Sequence, residues 1–105
     1  MAYDYETISE TIMNYVLDVR RAIPIDRVVL FGSFAKGEAT EESDIDICFF
    51  SHSFESQQMV DVSKQLFRLT RKYKGIDIEP FGFPTSELEK DNPFVNEIMR
   101  TGIEL

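Results

Sequence analysis

The sequence predicts a small domain of the α/β (α+β) class, because segments with helical apolar spacing alternate with short apolar runs of strand length. Apolar side chains at Tyr5, Ile8, Ile12, Tyr15, Val16 and Val19 recur at the three- and four-residue intervals of one helix face. Val28-Val29-Leu30-Phe31 and Ile45 to Phe50 are compact enough to be buried strands, and Ile76-Asp77-Ile78 alternates with the two-residue period of a third. At 105 residues the chain is the size of one domain spanning 1–105, with no internal repeat or low-complexity tract to divide it.

The first helix is expected from Tyr5 to Arg21, with Asp4 as its N-cap, Arg20-Arg21 suited to its C-terminal dipole and Pro24 stopping it. Strands follow at Arg27–Phe31 and Ile45–Phe50. The second long helix is expected over Ser56 to Tyr73. Val60, Ser63, Phe67 and Thr70 lie along one line there, Met59, Leu66, Leu69 and Tyr73 widen the apolar face, and Gly75 ends the helix. The third strand is expected over Ile76–Phe81, leaving the sheet or running at its edge near Pro80. Pro84-Thr85-Ser86 opens a short helical segment. Asn92-Pro93 caps a last helix that stops at Gly102, and Ile103-Glu104-Leu105 can add a terminal strand.

The chemistry concentrates between the first two strands. Gly32-Ser33 lets the backbone turn tightly into a helical turn over Ser33 to Lys36, and amide groups at such a turn beside a serine hydroxyl form a phosphate cradle. The next strand opens on Ser43-Asp44-Ile45-Asp46. Strand side chains alternate, so Asp44 and Asp46 share a face with Cα atoms about 7 Å apart. Two like charges held there favour a hard divalent cation between them. A phosphate cradle beside such a pair suits phosphoryl or nucleotidyl transfer. Glu38, Glu41 and Glu42 read as a solvated acidic loop.

Composition excludes several classes. Cys48 is the only cysteine, which rules out an intrachain disulfide framework, and its apolar neighbours mark it as a buried small hydrophobe. His52 reads as a surface histidine. The N-terminal residues lack a signal-peptide pattern and no apolar run is long enough for a membrane span, so a cytoplasmic location without membrane contact is expected. A net charge of −8 argues against direct nucleic-acid binding and suits a magnesium-escorted nucleotide or a basic protein. Five of the 11 basic residues, Lys64, Arg68, Arg71, Lys72 and Lys74, crowd the end of the second helix. Complementing its dipole accounts for them, with a phosphate or partner contact as the alternative.

The arrangement Gly32-Ser33, Gly37, Ser43-Asp44-Ile45-Asp46 and a later Ile76-Asp77-Ile78 resembles the minimal nucleotidyltransferase domains of the DNA polymerase beta superfamily. The resemblance covers most of the chain. It implies a small mixed sheet with helices packed on one face, and a metal-binding trio at Asp44, Asp46 and Asp77. Glu79, on the same strand face as Asp77, is the alternative third acid. It also implies nucleotide contacts at Gly32, Ser33 and Ser43. The family often has arginine directly after Gly-Ser, where this chain has Phe34, and Lys36 two positions on is the candidate triphosphate contact.

Activity follows by the same resemblance. Two magnesium ions and ATP would support transfer of AMP to a hydroxyl of a partner protein. The expected partner is a HEPN-domain toxin for which this chain is the antitoxin, with homo- or hetero-oligomers allowed. The alternatives are a non-catalytic module that neutralises its partner by occlusion, and a transferase acting on a small molecule such as an aminoglycoside, which normally needs a further substrate-binding domain.

Overall fold

The computed structural model describes residues 5–40 and 42–105. Asp4, expected to cap the first helix, and Glu41 of the acidic loop lie outside the described residues. The elements run α1 (Tyr5–Ala22), β1 (Arg27–Phe31), β2 (Ile45–Ser51), a 3-10 turn at His52–Ser56, α2 (Met59–Arg68), β3 (Ile78–Pro84), a 3-10 turn at Thr85–Glu89, α3 (Pro93–Thr101) and β4 (Ile103–Glu104). The strands form one sheet in the order β3-β2-β1-β4. β1 is antiparallel to both β2 and β4, whereas β2 and β3 are parallel and joined by the α2 crossover, so the sheet is mixed as expected.

Strand alternation divides the core into two layers. Val28 and Leu30 of β1, Ile45, Ile47 and Phe49 of β2 and Ile78 of β3 share one face with Ile12, Tyr15, Val16 and Val19 of α1 and Val62 and Leu66 of α2. Val29, Cys48 and Phe50 face the other way and pack against Val95 and Ile98 of α3. The expectation of helices on one face therefore needs correcting: α1 and α2 share a face, and α3 covers part of the opposite one. The amphipathic pattern of α3, with Val95 and Ile98 three residues apart, requires an apolar surface that the α1–α2 side has already filled.

Both bounds of α2 and both of β3 moved. α2 begins at Met59 because Ser51 caps the preceding 3-10 turn, its hydroxyl accepting from the Ser53 amide. It ends at Arg68, after which Thr70, Arg71 and Tyr73 donate three residues back instead of four. Its buried residues are Val62 and Leu66, while Val60 and Phe67 face solvent at 60% and 46% exposure. β3 starts two residues later than expected and runs through Pro80 to Pro84. The Ile45 amide donates to the Asp77 carbonyl at 2.8 Å, which turns the odd-numbered residues of β3 toward β2. Pro80 and Pro84 fall at outward positions of this edge strand, where no ladder donor is missed.

Candidate active site

The bend between β1 and β2 is anchored from below. Phe34 is buried in the α1 side of the core, so the residue standing where an arginine was expected fixes the turn instead of meeting a ligand. Lys36 donates its amide to the Gly32 carbonyl at 3.2 Å and Glu38 to that of Ser33 at 2.9 Å, closing a single turn with the Lys36 side chain exposed at its rim. Gly32 has a φ of 74°, a left-handed conformation that suits glycine. A Cβ there would lie 2.3 Å from Asp46 Oδ2, so the carboxylate of Asp46 occupies the space that glycine leaves. Phe31 pairs directly with Asp46 across the β1–β2 ladder, and that register brings the acid to the bend.

Asp46 has a second neighbour. Its partner in the parallel β2–β3 register is Glu79, and both side chains lie on the sheet face opposite α1 and α2. Burial, then the charge of Glu79, then that of Asp44, pushes the Asp46 carboxyl up to about 6. Asp44 stands exposed immediately before β2. Asp77 stands exposed before β3 and contributes its backbone carbonyl to the start of the ladder. The charges of Glu79 and Asp44 both act on Asp46, and Asp77 directly precedes Ile78 as Asp44 directly precedes Ile78's register partner Ile45.

Among the described residues no three His, Cys, Asp or Glu side chains converge closely enough to constitute a metal centre by themselves. The donor set nevertheless fits a hard divalent cation: all oxygen, crowded with negative charge, and containing one carboxyl whose ionisation is opposed by burial and then by the charges of Glu79 and Asp44. Ser43 is occupied in the loop, where its hydroxyl accepts the Thr40 amide at 2.8 Å.

The remaining residues singled out in the sequence lie away from this bend. Cys48 is fully buried and burial pushes its thiol up. His52 is exposed, with Nδ1 3.1 Å from Asp26. Of the basic group only Arg68 stands in the last turn of α2, so the helix dipole does not account for Arg71, Lys72 and Lys74. Lys72 pairs with Asp18 of α1 at 3.0 Å, and Arg68, Arg71 and Lys72 line an open groove of about 420 Å³ with Asp18 and Arg21. No helix among the described residues is long and apolar enough to cross a membrane.

Sequence reasoning missed an aromatic group on the acid-bearing face. Phe31, Phe81 and Phe94 are in mutual contact, with ring centroids 5.3, 5.9 and 5.5 Å apart. The available signal was parity, since Phe81 follows Glu79 by two residues in one strand.

A mixed sheet whose glycine bend meets a cluster of strand-borne acids defines a nucleotidyltransferase domain. The chain belongs to that family: the nucleotidyltransferase domain model matches residues 12–95, and a nucleotide is the substrate it implies. A relative in Methanocaldococcus jannaschii, named "putative protein adenylyltransferase", is 29% identical over 104 residues covering 93% of this chain and 98% of that protein. The crystal structure of a "putative nucleotidyltransferase" from Sulfolobus solfataricus shares the fold, with a TM-score of 0.60 at 20% identity over 99% of this chain and 89% of that one.

Proposed function

We propose that this protein is a magnesium-dependent protein adenylyltransferase, moving AMP from ATP to a hydroxyl of a partner protein. The observation that carries the reading is the Asp46 carboxylate lodged against Gly32, which joins the acid cluster to the phosphate-binding bend. The name borne by the M. jannaschii relative supports a protein acceptor. A basic HEPN-domain toxin, neutralised in a cytoplasmic toxin–antitoxin pair, is the acceptor that suits a chain of net charge −8.

In the reaction the acceptor hydroxyl gives its proton to solvent as its oxygen bonds to the α-phosphorus of ATP, the bond from the α-phosphorus to the α–β bridging oxygen breaks, and pyrophosphate leaves with that oxygen. Gly32 and Ser33 hold the departing end, and Lys36 at the rim of the turn offsets its charge. Asp44, Asp46 and Glu79 would hold magnesium, which would neutralise triphosphate charge and lower the pKa of the acceptor hydroxyl. Glu79 takes the third position in preference to Asp77 because it is the β3 residue in register with Asp46.

The test uses ATP labelled at the α-phosphate, magnesium and a purified HEPN-domain protein. Label should appear on that protein with the parent and with Asp77→Asn, and be lost with Asp46→Asn and Glu79→Gln. Label that survives Asp46→Asn removes the assignment. A second reading, neutralisation by occlusion without transfer, has in its favour the absence of a three-acid metal centre among the described residues. Neutralisation by Asp46→Asn with no label on either protein would establish it instead.

A further inference from the structure

The aromatic group beside the acids has no part in the reaction described above, and one of its rings is poorly buried. Phe94 leaves 44% of its surface exposed although Val95 and Ile98, at 1% each, already anchor α3 to the sheet. It stands one residue into the helix after Pro93, leaning on Phe31, Phe81 and Phe83 at 5.9, 5.5 and 5.9 Å between ring centroids. Two of the inner rings are tied to a residue of the bend or the acid cluster. Phe31 directly precedes Gly32 and pairs with Asp46, and Phe81 follows Glu79 on the same strand face. α3 thus reaches the residue directly before the bend through the Phe94–Phe31 ring contact.

A charged end that suits phosphates and a flat apolar end therefore adjoin on one sheet face. A nucleotide is a molecule with those two ends, and aromatic rings receive bases by stacking on their exposed π-faces. Resting on the nucleotidyltransferase reading, we propose that Phe94, backed by Phe31 and Phe81, is the stacking platform for the nucleobase. Stacking discriminates by ring area, so purine nucleotides bind in preference to pyrimidine ones. Phe94 thus sets base preference and nucleotide affinity without touching the phosphates.

The experiment measures binding of ATP, UTP and inorganic tripolyphosphate by calorimetry, each with magnesium and without an acceptor, to the parent, Phe94→Ala, Phe94→Trp and Asp46→Asn. Phe94→Ala should weaken ATP roughly tenfold, as loss of one stacked base implies, leave tripolyphosphate unchanged and narrow the gap between ATP and UTP. Phe94→Trp should bind ATP at least as tightly as the parent, and Asp46→Asn should weaken ATP and tripolyphosphate alike. Equal loss of ATP and tripolyphosphate in Phe94→Ala, or no loss of either, overturns the platform while leaving the nucleotide site intact. Failure of the parent to bind either ligand overturns the nucleotide reading and the platform with it.

Discussion

Two residues, Gly32 and Asp46, hold one volume between them, and each predicts a different measurement. Replacing Gly32 by alanine places a methyl group 2.3 Å from Asp46 Oδ2 at a φ of 74°. Gly32→Ala should cost about 1–3 kcal/mol in denaturant unfolding and abolish transfer by displacing the carboxylate. Asp46 contributes a pH dependence with a definite sign. Its native carboxyl holds its proton up to about 6, whereas in the unfolded chain it is lost near the ordinary value of about 3.9. Folding stability from this group is therefore present below about 4 and falls as pH rises toward about 6. Asp46→Asn should remove that slope and stabilise the ion-free protein at pH 7.5 by about 1–2 kcal/mol, after discounting for solvent screening. Thermal unfolding of both forms at pH 4 and 7.5 checks it, and a parent at least as stable as Asp46→Asn at pH 7.5 contradicts it. The glycine and the aspartate were legible from spacing alone. The third acid was not, because Asp77 and Glu79 have the same parity and a two-residue period cannot separate them. The β2–β3 register sets Glu79 beside Asp46, and pairing across a crossover leaves no local mark in either strand.

At the scale of elements, periodicity located α1 and α3 well because each has a clear apolar stripe and a recognisable terminus. Asn92 caps α3 as expected, its side chain accepting from the Phe94 and Val95 amides. α2 was read too long, and although Leu66, Leu69 and Tyr73 do meet the core as expected, Val60 and Phe67 point to solvent and Val62 takes the inward place. Val60 and Phe67 are as apolar as Val62 and Leu66, so hydrophobicity alone could not say which pair meets the sheet; Gly82 of β3 does. A Cβ at Gly82 would meet Val62 at 2.5 Å and Leu66 at 2.9 Å, so these two side chains pack into the space it leaves. The early end of α2 is secured by α1, whose buried Tyr15 hydroxyl donates to the Leu66 carbonyl at 2.8 Å. That bond satisfies a carbonyl in the helix's last turn. Tyr15→Phe should keep the packing, strand the carbonyl and lower stability by about 1–3 kcal/mol. An unchanged denaturation midpoint would show that the hydroxyl carries nothing.

Across the whole molecule the sheet has two unequal sides. α1 and α2 fill one, and α3 covers only part of the other, leaving the acid-bearing strand ends accessible there. Composition could give the size and class of such a domain but not this asymmetry, which depends on where the short C-terminal helix docks. The two rims of the sheet also differ. On one, β4 is only two residues long, and Glu104 makes a paired contact with Arg27, its Oε2 2.9 Å from Nε. On the other, β3 is the outermost strand, and Pro80 and Pro84 occupy outward positions. Restoring the amides with Pro80→Val and Pro84→Val should raise light scattering on prolonged incubation at high protein concentration, and an unchanged signal would refute this. A foreign chain approaching along β3 meets a broken row of donors, and one approaching along β4 meets a stub capped by charge. Neither border offers a template for copy-on-copy growth, so the open strand ends needed for chemistry coexist with a sheet that resists polymerising into fibres.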